Sequence, residues 1–161
     1  MITVLRIDPA HELYPAACRL REEVLLRGAG FTFDEYAAAY PYEDESEHFI
    51  AVRELGTGGR HVVGTALMKA DYKEPGSAKV SQVAVDPQLR GEGIGRKLMI
   101  AAEARGFGEL GQGELFCHAQ DTAVAFYRAL GWRVVSDEFE EAGIRHFRMA
   151  ITSAERAPEA T

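Results

Sequence analysis

The chain has 161 residues, with 18 Lys and Arg against 25 Asp and Glu, a net charge of −7, and 47% hydrophobic residues. That length suits one domain with an ordinary hydrophobic core, and the acidic balance argues against a nucleic-acid binder, which needs a clustered basic surface. The two cysteines, Cys18 and Cys117, form no CxxC pair, and the five histidines show no HExxH spacing, so free thiols and no metal are expected. The start, MITVLRIDPAHEL, lacks the basic and apolar regions of a signal peptide. No apolar run approaches the roughly 20 residues that span a bilayer. A cytoplasmic protein without membrane association is expected.

Residues 2–7 (ITVLRI) are short and β-branched, and predict a first strand. Over residues 11–26, Leu13, Ala17, Leu20 and Val24 recur at three- and four-residue steps with Arg21 and Glu22 between them. That spacing predicts an amphipathic helix, and Pro15 is tolerable in its first turn. Residues 27–47 are irregular, with a short helix near residues 34–39; long loops of this kind are often binding loops. Residues 48–55, 61–71 and 78–86 read as three strands, joined by the turns GTGGR and KEPGS into an antiparallel meander. A helix follows over residues 94–107, with Ile94, Leu98, Ala101 and Ala102 on one face. Residues 113–119 predict a strand, and residues 121–131 a helix with Asp121 as N-cap and Gly131 as terminator. Two strands close the order, 132–139 and 144–151, around the turn EEAG. The tail from residue 152 is small and polar, and is expected to be disordered. The whole is a mixed sheet with helices on it, α+β or α/β in character, in a single domain over residues 1–151.

The stretch LRGEGIGRKLM, residues 89–99, sets Gly91, Gly93 and Gly95 at alternate positions just before the helix. Glycine in a helix's first turn lowers its stability by roughly 1 kcal/mol relative to alanine. What it offers is approach: unpaired amides and the positive end of the helix dipole favour an anion, and the absence of Cβ lets phosphates come close. Arg90 and Arg96 flank the turn and can add charge-assisted hydrogen bonds, while Glu92 is expected to face solvent. A dinucleotide fingerprint fails, because its last glycine falls on Arg96, and a P-loop fails because Arg96, Lys97 and Leu98 stand where Gly-Lys-Ser/Thr should. A plain turn without a ligand is the competing reading.

The pattern R-x-x-G-x-G, taken with the preceding strand and Val85-Asp86-Pro87, resembles the coenzyme A motif of the GNAT superfamily of N-acetyltransferases. A second match is AVAFYRALGW, in which Tyr127 precedes Gly131-Trp132 by four residues and resembles the family's Y-x-x-x-G-aromatic segment. The element order also matches, so the resemblance covers residues 2 to 151. LREEVLLRGAGF, Ala119-Gln120 and the segment from Glu141 to His146 are similar to the ElaA-type branch. Arg145 replaces that branch's proline, and Arg27-Gly28 replaces its acidic-glutamine segment. The resemblance implies a mostly antiparallel twisted sheet of about seven strands flanked by about four helices. It also implies acetyl-CoA as co-substrate, an amine of a small molecule or peptide as acceptor, and direct transfer in a ternary complex. Many members form homodimers, and that state is open for this chain.

By the same resemblance, backbone groups of Val83, Ala84 and Val85 pair with pantetheine, and one of their amides polarises the acetyl carbonyl. Gly91, Gly93, Ile94 and Gly95, with Arg90 and Arg96, hold the pyrophosphate. Tyr127 is the candidate general acid for the leaving thiolate; the alternative is a core aromatic. Gln120 stands where many members place an asparagine on the cofactor. For the general base, a pKa near working pH favours His146, with Glu138, Glu141, Glu22 and His118 as alternatives. Asp34 and Glu35 are candidates for binding a cationic acceptor. Two other functions remain: an acyl-CoA-binding module without turnover, and a toxin acetylating aminoacyl-tRNA, against which the net charge of −7 speaks.

Overall fold

A computed structural model describes residues 1–157. The fold is mixed α/β and mostly antiparallel, with eight strands and five α-helices among the described residues. The chain divides into two compact units, one of Met1–Lys69 with Gln82–Ala102, the other of Ala70–Ser81 with the chain from Glu103 onward.

In the first unit, β1 (Ile2–Ile7), β2 (Glu47–Glu54) and β3 (Arg60–Lys69) form the expected antiparallel meander. β1 and β2 pair from Ile2↔Arg53 to Ile7↔His48. The second half of β4 (Ser77–Val85) lies beside β3, where the Thr65 hydroxyl donates to the Gln82 carbonyl at 3.1 Å and the Asp86 amide to the Val63 carbonyl at 2.9 Å. Helix α1 (Tyr14–Arg21) starts on Pro15 and continues as a π-helical turn over Glu22–Leu26. Its apolar stripe packs as its spacing requires: Ala17 and Leu20 join Ile7, Ile50, Val52 and Val62 in one core cluster, with Leu13 and Val24 against it. Helix α2 (Phe33–Ala39) opens on a capping box between Thr32 and Glu35.

Helix α3 (Ile94–Glu103) buries Ile94, Leu98, Met99 and Ala102. It rests on Gly64 of β3, where a Cβ would lie 2.9 Å from both Ile94 Cγ2 and Leu98 Cδ1 and 3.3 Å from Ala51 Cβ. Gly64→Ala is expected to destabilise the protein by about 1–3 kcal/mol through overpacking, read as a lower Tm with α3 displaced; an unchanged Tm would show that the helix yields freely.

In the second unit, the first half of β4 pairs in parallel with β5 (Glu114–Gln120), starting at Ser77↔Glu114. β5 pairs antiparallel with β8 (Ile144–Thr152), which also pairs with β6 (Arg133–Val134) and β7 (Phe139–Glu141). Helix α4 (Val124–Ala129) follows a 3-10 turn over Asp121–Ala123.

Three expectations are corrected here. The strand expected over residues 132–139 is two strands, because the Ser136 hydroxyl takes the Arg148 amide at 2.8 Å and donates to the Asp137 carbonyl, replacing ladder bonds between them. Asp121 is no N-cap: it lies inside the 3-10 turn, with its carboxylate 3.9 Å from Arg145. Ser153–Arg156 form helix α5 where disorder was expected. A Thr152–Glu155 capping box starts it, and ion pairs from Arg133 to Glu155 and from Arg156 to Glu103 hold it down. Those hydrogen bonds bring the Glu155 carboxyl down to about 2. Residues 158–161 of the expected tail lie outside the described residues.

Candidate active-site residues

In the first unit, β4 runs through Val83, Ala84 and Val85 into a 3-10 turn over Pro87–Leu89, which the Asp86 carboxylate caps by accepting from the Gln88 amide at 2.9 Å. The chain then reverses through Gly91 at φ +86° and Gly93 at φ +81°. These two glycines are required because L side chains rarely adopt that conformation. The space beside them is open, with nothing within 4 Å of a Cβ at either position. The first helical hydrogen bond of α3 runs from the Lys97 amide to the Gly93 carbonyl at 3.1 Å, so the amides of Ile94, Gly95 and Arg96 have no partner within the helix. Arg90, Glu92 and Arg96 are exposed on the turn, while Ile94 is buried and anchors it. Open space, helix-end amides and two guanidinium groups fit a pyrophosphate.

The first unit also holds a cluster that sequence reasoning missed. Arg21, 1% exposed, makes a two-pronged ion pair with Glu43, Nη1 to Oε1 at 2.6 Å and Nη2 to Oε2 at 2.9 Å. Its Nε donates to Gln82 Oε1 at 3.2 Å, and Phe33 and Tyr36 set their rings 5.0 and 5.2 Å from the guanidinium. Tyr14 donates its hydroxyl to Glu43 Oε1 at 2.8 Å. Burial pushes the Glu43 carboxyl up, but hydrogen bonds from Arg21 and Tyr14 and the Arg21 charge outweigh it, and the net direction is down. The Arg21 guanidinium is raised, burial being overcome by Glu43. Gln82 sits at φ +51°, a left-handed backbone in the middle of a strand.

In the second unit, Tyr127 on α4 is buried beside Phe126 and Trp132, with ring centroids 5.0 and 5.3 Å away. The Tyr-x-x-x-Gly-Trp spacing is a helix stop. Gly131 at φ +92° donates its amide to the Arg128 carbonyl, and Trp132 donates its own to the Tyr127 carbonyl at 3.0 Å. Burial first, then the neighbouring Cys117 thiol, hold the Tyr127 phenol well above its ordinary value, while burial pushes the Cys117 thiol up to about 12. Cys117 is the neighbour that no sequence spacing pointed to, because the contact joins β5 to α4.

Gln120 and His146 stand opposite each other in the β5–β8 register, Gln120 exposed and His146 buried. His146 Nδ1 lies 2.7 Å from the Ile144 carbonyl. Nδ1 therefore donates, and Nε2 lies 3.7 Å from Glu141 Oε2. The other base candidates are engaged. Glu138 pairs with Arg145 at 2.7 Å and Glu22 accepts from the Phe33 amide at 2.8 Å. Glu141 bonds His118 at 3.0 Å; burial lowers the His118 pKa more than Glu141 raises it. Glu35 is spent in the α2 capping box, and Asp34 is exposed. Among the described residues no group of three or more His, Cys, Asp or Glu is placed to hold a metal, and no helix is long and apolar enough to cross a membrane.

The model of the acetyltransferase (GNAT) domain matches residues 27–153. The uncharacterized N-acetyltransferase YjcF of Bacillus subtilis is 30% identical over 131 residues, 81% of this chain and 86% of that one. Among solved structures, Escherichia coli ElaA matches with a TM-score of 0.68 and 20% identity, over 93% of this chain and 99% of its own. A spermidine N-acetyltransferase from Vibrio cholerae, solved with CoA and spermine, matches with a TM-score of 0.68 and 17% identity over 96% of each chain. With the domain model spanning both the glycine turn and the Tyr127 helix stop, the chain belongs to the GNAT family of acetyltransferases, with a likeness to ElaA.

Proposed function

We propose that the protein is an acetyl-CoA-dependent N-acetyltransferase that acetylates a primary amine of a small molecule or peptide by direct transfer in a ternary complex. The observation that carries this reading is the left-handed Gly91–Gly93 turn opening the N-terminus of α3 between two exposed arginines. Acetyl-CoA supplies an activated thioester there. Gly91, Gly93 and the amides of Ile94, Gly95 and Arg96 bind its pyrophosphate with Arg90 and Arg96. Backbone groups of Val83, Ala84 and Val85 bind the pantetheine arm, and one amide polarises the carbonyl. Gln120 adds a side-chain amide to the cofactor. His146 accepts the amine proton at Nε2, and Tyr127 holds the proton that goes to the departing sulfur. In this proposal residues 1–151 work as one acetyltransferase domain in the cytoplasm, without nucleic acid, membrane or metal, and a homodimer is compatible with it.

Calorimetric titration tests the reading. Acetyl-CoA is expected to bind the wild type while NADH and ATP do not. Gly93→Glu forces a side chain onto φ +81° and sets a carboxylate against the phosphates. Losing even one charge-assisted hydrogen bond removes about 1.5–3 kcal/mol, so acetyl-CoA affinity is expected to fall at least tenfold. Absence of binding in the wild type would overturn the assignment of the turn.

A further inference from the structure

Arg21 is far from the glycine turn in sequence and carries none of the roles above, yet it is a fully buried cation with every nitrogen engaged. Two of them meet the Glu43 carboxylate and the third meets the side chain of Gln82, at 3.2 Å. Phe33 and Tyr36 of α2 flank the guanidinium. Gln82 is the residue of β4 whose backbone is left-handed, and it immediately precedes Val83, Ala84 and Val85. For a glutamine that conformation is strained, and it persists only where the surroundings over-determine it. Two contacts do so: the Thr65 hydroxyl holds the Gln82 carbonyl at 3.1 Å, and Arg21 Nε holds its side chain.

We infer that Arg21 is a positioning residue: clamped by Glu43, it holds Gln82 in the left-handed conformation and thereby aims the backbone of residues 83–85. In a regular strand, side chains and backbone groups alternate direction from residue to residue, and one left-handed residue interrupts that alternation. The groups after Gln82 therefore no longer continue the ladder set before it. Because α1, α2 and the segment before β2 all contribute to the clamp, a change in any of them reaches residues 83–85 through one guanidinium. A lysine would not serve, since a single ammonium lacks the rigid fork that meets Glu43 and Gln82 together. The functional consequence rests on the proposal that residues 83–85 bind the acyl-CoA arm; the conformational one does not.

The test removes the clamp without leaving a buried charge. In Arg21→Met/Glu43→Leu both ions go, an exchange that is often neutral for stability, and Arg21→Lys serves if that variant fails to fold. Amide chemical shifts of residues 84 and 85 are expected to move in the variant. Acetyl-CoA affinity is expected to fall on the order of tenfold to a hundredfold, as small misplacements of binding groups do. Adding Gln82→Gly, which adopts the left-handed conformation unaided, is expected to restore both. Shifts that stay in place without the clamp, or that glycine fails to restore, overturn the inference. Absence of acetyl-CoA binding in the wild type instead overturns the proposed ligand, and the chemical shifts alone then decide the clamp.

Discussion

Tyr127→Phe is expected to lower kcat for acetyl transfer by about 10²–10⁴-fold, the range for loss of a positioned general acid. Acetyl-CoA affinity should change little, because in the proposed role the hydroxyl acts on the departing sulfur and not on the bound thioester. Stability should fall by no more than about 1 kcal/mol, since the variant removes one neutral hydroxyl, whose neighbour is the Cys117 thiol. The kcat loss separates an acid from a core aromatic, and the pH profile checks that the acid stays protonated. Burial, and then Cys117, raise the Tyr127 pKa well above its ordinary value. An acid with a raised pKa stays protonated below it, so Tyr127 is competent at every pH up to about 10 and beyond. The wild-type rate should therefore show no alkaline decline from this residue below that pH. Steady-state kinetics across the alkaline range check both points. A Tyr127→Phe enzyme with wild-type kcat would remove Tyr127 from the acid role, and an alkaline limb below about pH 10 that vanishes with the hydroxyl would contradict its raised pKa.

Arg21→Met alone is expected to be among the most damaging single changes in the first unit. It strands the Glu43 carboxylate in a buried position without its partner, which typically destabilises by about 3–5 kcal/mol. For a chain of this size each kcal/mol shifts Tm by roughly 2–4 °C, so thermal unfolding should show a fall of about 10 °C. The effect has a direction in pH. The Glu43 carboxyl is held below its ordinary value in the folded protein, so its contribution is complete above the unfolded-state value of about 4.3 and is lost as pH falls through the lower folded value. Without Arg21, burial acts on Glu43 against only the Tyr14 hydrogen bond and the His48 interaction, so the variant's carboxylate is neutralised sooner than the wild type's. The gap in Tm between wild type and variant should close as pH drops below about 4. A gap that is small at neutral pH, or that widens in acid, would mean that the pair does not hold the unit together.

Much of this protein was legible residue by residue. The α1 stripe of Leu13, Ala17, Leu20 and Val24 predicted its own buried face, because helical periodicity and burial are one fact seen twice. The Gly131 helix stop was readable because glycine is the residue such a backbone requires, whereas the left-handed backbone of Gly91 and Gly93 came only with the structure. The split at Ser136 and the helix at Ser153–Arg156 were not, since each depends on partners distant in the chain: Arg148 for the first, Arg133 and Glu103 for the second.

The amino-acid sequence by itself determined the family, the broad order of elements and the glycine turn before α3, all of which are carried by local spacing. Only the tertiary structure decided the rest. It set Tyr127 beside the Cys117 thiol, turned His146 Nδ1 to the Ile144 carbonyl, and placed Arg21 between Glu43 and Gln82. The physical reason is that a side chain's chemistry follows from burial and from the charges and carbonyls packed against it. Those neighbours come from elements brought together by the hydrophobic core, which no local pattern records.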